Sequence, residues 1–227
     1  MTRKKSILTM GGAIDPAQAL QILAQRTQAA DQECIACAAQ ADSQKEEENK
    51  PSIENQQEYH PQLENASTHS LLKHLLKLQE QRVREYARFD HGFEMFVSVP
   101  EAQGYEALVA KTTAEFVKLS SAVNAVQDVL RDAGAGGLAG TIRSLQNLER
   151  EKLHITAQLH ITRHNIYMYE EENKKISELE EKEEKMHRMR RQEEEELKGK
   201  LVKICLEINE LLDEFRCELA EEEVSED

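Results

Sequence analysis

Tyr105-Glu-Ala-Leu108-Val-Ala-Lys-Thr112-Thr-Ala-Glu-Phe116-Val-Lys-Leu119-Ser-Ser-Ala-Val123-Asn-Ala-Val126-Gln-Asp-Val-Leu130 decides how this chain folds. The numbered residues follow one another at spacings of three and four, and all but Thr112 are apolar. At about 100° per residue they fall within an arc of about 100°, which makes one face of a helix. A helix with so narrow an apolar stripe has to bury it against other helices, so helix-on-helix packing organises the protein.

Working outward, the same period recurs on both sides. A first bundle helix spans roughly 69–98, with Leu71, Leu72, Leu75, Val83, Tyr86, Phe89, Phe93, Phe96 and Val97 on one broad face; Pro100 ends it. The second spans roughly 101–133. The run Gly134-Ala-Gly-Gly-Leu-Ala-Gly140 supplies a helix end and a flexible turn. A third helix starts near Thr141 with the seam Ile142, Leu145, Leu148, Ile155, Leu159, Ile166 and Tyr169. The period returns at Leu197, Leu201, Ile204, Ile208, Leu211 and Phe215. Each seam occupies about 25–30 residues, or about 40 Å of helix. The expected fold is therefore all-α: an antiparallel helical bundle with long, coiled-coil-like helices and disordered acidic termini. Its core is expected to include Phe89, Phe93, Phe116, Leu119, Leu159, Ile204, Ile208 and Leu211.

Residues 170–196 contain no Pro or Gly and little that is apolar. Two architectures meet there. The chain folds back, with residues 180–196 as a projecting charged tip and the fourth seam on the same bundle. Alternatively, one helix of about 80 residues carries the fourth seam away to a second chain in a homodimer. The fold-back reading is preferred, because a fourth helix of matching length completes an otherwise uneven bundle.

The expected division is residues 1–66, 67–220 and 221–227. Asp15-Pro16 starts a weak Ala-rich helix over 17–39. Residues 41–66, polar and with Pro51 and Pro61, read as a disordered linker. The bundle domain follows, then an acidic tail.

Charge narrows the function classes. The net charge is −14, with acid concentrated at Glu46–Glu48, Glu170–Glu196 and Glu218–Asp227. Nucleic-acid affinity comes mainly from neutralising phosphates, so direct nucleic-acid binding is not expected. No apolar run approaches the length a membrane-spanning helix needs, and no membrane association is expected. The four cysteines, Cys34, Cys37, Cys205 and Cys217, read as reduced thiols in nucleus or cytoplasm.

Candidate chemistry is sparse. Cys34-Ile-Ala-Cys37 lacks both the strand a redox motif needs and a second CxxC for zinc. His160 and His164 stand one helical turn apart with His154 nearby, but no glutamate follows His160 as a zinc-hydrolase helix requires, and they read as surface or seam-edge histidines. The Gly134–Gly140 run has no lysine to make a phosphate loop. No catalytic residues, cofactor or metal are expected, and the chain does not read as an enzyme. One constellation is a candidate binding site: Lys73, Lys77, Arg84 and Arg88 lie within about 60° on the first helix, opposite its apolar face. That stripe is suited to docking an acidic partner or phosphates; an ordinary solvated face is the plainer reading.

The stretch Leu71-Leu-Lys-His-Leu-Leu-Lys-Leu-Gln-Glu-Gln-Arg-Val-Arg-Glu-Tyr86, followed by Phe89-Asp-His-Gly-Phe-Glu-Met-Phe96, resembles the Required-for-Excision B-type domain family. The leucine-rich start, the Gln79-Glu80-Gln81-Arg82 core and the aromatic-Gly-aromatic end carry the resemblance. Leu148–Leu159 and Ile208–Phe215 resemble its second half, so the likeness is read over roughly residues 70–218. The resemblance implies a part in excision repair of damaged DNA and transfers no catalytic residue. The expected function is a non-enzymatic helical adaptor that acts through protein partners, repair factors among them. The alternative is a structural coiled-coil protein of a cytoskeletal or ciliary assembly.

Overall fold

The computed structural model describes Leu63 and residues 66–98, 105–173 and 181–225. Among these, all regular structure is helical: α1 (Thr68–Ser98), α2 (Tyr105–Asp132), α3 (Gly136–Asn173) and α4 (Glu181–Ser225). The Ala-rich helix expected over 17–39, the linker before Leu63 and the Cys34–Cys37 pair lie outside the described residues.

Local signals set the helix ends. Ser67 caps α1: its Oγ accepts the Ser70 N–H at 3.2 Å and its carbonyl accepts the Leu71 N–H at 3.0 Å. α2 ends in a Schellman turn. The Ala135 N–H donates to the Leu130 carbonyl at 2.9 Å and the Gly134 N–H to the Arg131 carbonyl at 3.0 Å. Gly134 takes the positive φ of 85° that this turn demands. Because one glycine makes the whole reversal, α3 begins at Gly136, five residues before the expected start, and the other glycines of the run are helical.

The helices pack as an antiparallel bundle in chain order. α1 lies on α2, α2 on α3, α3 on α4 and α4 on α1, and α1 also touches α3 across the bundle while α2 and α4 do not meet. Two clusters fill the interior. At one end Leu71, Leu72 and Leu75 of α1 meet Val126 and Leu130 of α2, Ile142 and Leu145 of α3, and Leu212 and Phe215 of α4. Toward the other end an aromatic cluster gathers Tyr86, Phe89 and Phe93 with Tyr105, Phe116 and Leu153.

The fourth seam therefore folds back. Leu197, Ile204, Ile208 and Phe215 are buried in the same cluster as the leucines of α1, and Leu201 and Leu211 are half-buried at its edge. The chain supplies its own cover, and the single 80-residue helix is not formed. Three expectations need correction. The projecting tip is shorter than residues 180–196: the His187 ring stacks on Tyr169 at 4.6 Å, Arg191 hydrogen-bonds Glu170, and Glu194 is buried. α4 runs on to Ser225, so the acidic segment after Ala220 is largely helical. Packing also begins before Thr68, because Leu63 is buried in the first cluster.

Val83 is the clearest departure on α1. It is 61% exposed, while polar Gln79 and Arg82 are buried. One residue beyond Arg82 is a rotation of about 100°, which carries Val83 off the face that Leu75, Arg82 and Tyr86 share.

Truncating Phe116 or Leu119 to alanine should destabilise the protein by about 2–5 kcal/mol, as buried large-to-small changes do. Val83→Ser should stay within about 0.5 kcal/mol. Urea denaturation checks both. Ile204→Asp should destabilise to the same extent at any protein concentration, because its partners are on the same chain; a loss that shrinks as concentration rises would place them on another.

Candidate functional site

The inward face of α1 leaves Arg82 only 4% exposed where α1, α2 and α3 meet. A buried guanidinium has to find acceptors there, and it finds them on the other two helices. Its Nη2 donates to Ser120 Oγ at 3.3 Å and to Gln146 Oε1 at 3.2 Å. Gln146 in turn donates from Nε2 to the Ser120 carbonyl at 3.2 Å and to Asn124 Oδ1 at 2.9 Å. Glu149, 3% exposed, supplies the counter-charge, with Oε2 3.9 Å from Arg82 Nη1. One turn along α1, the Tyr86 hydroxyl donates to the Glu149 carbonyl at 3.2 Å. Burial, with Glu149 beside it, pushes the Tyr86 hydroxyl well above its ordinary range, so it acts only as a neutral donor.

The aromatic-Gly-aromatic end of α1 also contributes to the core through Phe89 and Phe93. A Cβ on Gly92 would meet the end of the Leu108 side chain of α2, so the glycine leaves room for that leucine's present position. Phe89 and Phe93, on either side, hold His160 of α3. Its ring stacks on Phe93 at 4.0 Å, almost parallel, and lies 4.6 Å from Phe89. His160 is 1% exposed. The surface or seam-edge position expected for it is thus corrected: it is a core residue whose Nε2 lies 3.0 Å from Asp90 Oδ1.

With these residues placed, one likeness to a known family covers part of the chain. A family model described as DNA repair REX1-B matches residues 70–163. Over residues 70–163 the chain is similar to that family. The matched span holds α1, α2 and most of α3, and with them Arg82, Gly92, Gln146, Glu149 and His160. It ends before α4, so the likeness read into Ile208–Phe215 falls outside it. No curated protein and no solved structure matches the chain.

Of the motif residues by which the REX1-B resemblance is legible, Gln79, Arg82, Phe89 and Phe93 are buried between helices, while Glu80 and Gln81 are exposed. Sequence reasoning missed Ser120, Asn124, Gln146 and Glu149. A signal for the last was present: Ile142, Leu145, Glu149, Leu153, Thr156 and His160 follow the three–four spacing with polar residues inside the row. Among the described residues no three metal-ligating side chains come together. His164 sits half-buried, its ring 5.5 Å from Phe96, and His154 is half-buried elsewhere on α3.

What the domain presents outward includes the basic stripe. Lys73, Lys77, Arg84 and Arg88 are all exposed on α1. Arg88 donates to Glu85 at 2.6 Å, and Arg84 lies 4.0 Å from Glu80. Exposed pairs of this kind contribute little to stability and leave the arginines able to exchange partners.

Arg82→Ala should cost about 3–5 kcal/mol, because it strands Glu149 without a cation in the interior. Arg82→Met combined with Glu149→Met should recover most of that loss in chemical denaturation, since neither charge is then left alone.

The His160 imidazole is held below its ordinary value of 6.5, first by burial, against the pull of the Asp90 hydrogen bond. The unfolded chain therefore binds a proton that the folded chain refuses, so stability should fall as pH drops below about 6.5. Urea midpoints at about pH 7.5 and 5.5 check this, and the fall should be smaller in His160→Phe. His74, also held low by partial burial, adds a residual slope of the same sign in both proteins.

Proposed function

We propose that this protein is a non-enzymatic helical adaptor of DNA excision repair that acts through protein–protein contacts. The observation that carries the reading is the match of residues 70–163 to a family described as DNA repair. The buried members of its motif hold helices together: Arg82 of α1 bonds to both α2 and α3. With the interior engaged in packing, recognition falls to the helix exteriors. The α1 stripe of Lys73, Lys77, Arg84 and Arg88 is the face we assign to a partner, since exposed arginines engage carboxylates through paired donors. An overall charge of −14 opposes the DNA backbone, which favours recruitment by a protein over direct binding to the lesion.

Cells that make the protein and then lose it should clear ultraviolet photoproducts more slowly, and the intact chain should restore the rate. Lys77→Glu with Arg84→Glu and Arg88→Glu should fail to restore it while the purified variant keeps the wild-type helical content. Unchanged clearance without the protein would overturn the repair role. Full rescue by the triple variant would remove the stripe from it.

A further inference from the structure

α4 is held to the bundle in two different ways. From Leu197 onward its inner face is apolar: Leu197, Ile204, Ile208, Leu212, Phe215 and Leu219 are buried in the first cluster. Before Leu197 that stripe is missing. Among residues 183–196 only Glu194 is buried, and Met186 and Met189 are exposed. On α3, no described residue after Ile166 is buried.

Charge joins the two helices there. Arg191 of α4 hydrogen-bonds Glu170 of α3, and His187 Nε2 lies 3.5 Å from the same carboxylate. Arg163 Nε of α3 lies 3.9 Å from Glu194 Oε1. Glu194 is steadied by its own helix, accepting from Arg191 at 3.2 Å and from Lys198 at 2.9 Å. The Tyr169–His187 stack adds a ring contact. Arg191 and Glu170 are both partly exposed, so water and salt reach the pair. Exposed ion pairs are individually weak, and salt screens them: the Debye length falls from about 10 Å at 0.1 M to about 3 Å at 1 M. Burial of the leucines and isoleucines farther along α4 is not screened in this way.

The change of attachment coincides with a glycine. Gly199 stands two residues past Leu197, inside a helix that it weakens. A Cβ there would meet nothing within 4 Å, so no close packing calls for it.

We propose that residues 183–196 form an ion-held strap, which separates from α3 as a unit of its own while residues 204–219 stay seated, with the break at Leu197–Gly199. Ionic strength sets how often it opens. When open, it uncovers the Tyr169 ring and releases the Glu170 and Glu194 carboxylates for contacts outside the chain. This inference rests on the α3–α4 pair alone and stands apart from the repair role proposed above.

Hydrogen exchange of the full chain, read peptide by peptide in about 0.1 M and about 1 M sodium chloride, tests it. Residues 183–196 should be less protected than residues 204–219 in both, and should lose protection at the higher salt while residues 204–219 keep theirs. Glu170→Gln removes a charge from α3 and leaves the strap's own sequence intact. It should lower the protection of residues 183–196 by about two- to five-fold at the lower salt, the range of an exposed ion pair, and reduce the further loss at the higher. Equal protection along α4, or protection of residues 183–196 that salt leaves unchanged, would overturn the strap. Wild-type protection in Glu170→Gln would overturn charge pairing with α3 as what holds it.

Discussion

A guanidinium placed where three helices meet must find its acceptors there, or the helices cannot close around it. That is the constraint Arg82 imposes. Leucines and phenylalanines pack in many registers at similar cost, because apolar burial is non-directional. Hydrogen bonds from Nη2 to both Ser120 and Gln146 are satisfied in one register only. Leaving a buried charge unpaired costs several kcal/mol, comparable to a small domain's whole stability margin. The hydrophobic seams bring α1, α2 and α3 together, and the arginine decides how they are aligned.

The neighbouring aromatic cluster extends the same alignment along the bundle. Tyr86 ties α1 to the Glu149 carbonyl, and Phe89 and Phe93 receive His160 a few turns on. Gly92 leaves room for the Leu108 side chain of α2 at this end. α4, outside the REX1-B match, then closes the bundle with a conventional apolar stripe and a set of charged contacts to the end of α3. Arg163 illustrates the join: it pairs with Glu94 of α1 at 2.6 Å and lies 3.9 Å from Glu194 of α4.

Much of this was legible from spacing. Every numbered residue of the α2 stretch Tyr105–Leu130 faces the interior except Leu108, which is half-buried; the seam of α4 fitted both a return to the bundle and a second chain, and the preferred return is the one formed. What spacing could not show was which polar residues go inside. Apolar patterning placed Val83 in the core and left Gln79 and Arg82 unassigned, yet the acceptors that make Arg82 tolerable lie 38 and 64 residues away. No local rule carries that information. His160 was misplaced for the same reason, since its environment is two phenylalanines on another helix. The glycine run misled differently: composition suggested a long flexible turn, whereas a single left-handed residue at Gly134 completes the reversal. For the candidate surface, the stripe on α1 was readable as a face, but its ion pairs with Glu80 and Glu85 depend on rotamers that sequence does not specify.

If the Arg82 junction sets the alignment of the first three helices, it should be among the last parts of the molecule to open. Native-state hydrogen exchange across a urea series measures this directly. The account predicts that amides of α1 near Arg82, of α2 near Ser120 and of α3 near Gln146 exchange only by global unfolding, with one shared free energy and urea dependence. If any of these three segments opened at a separate, lower free energy while the other two stayed protected, the junction would not be what holds them together.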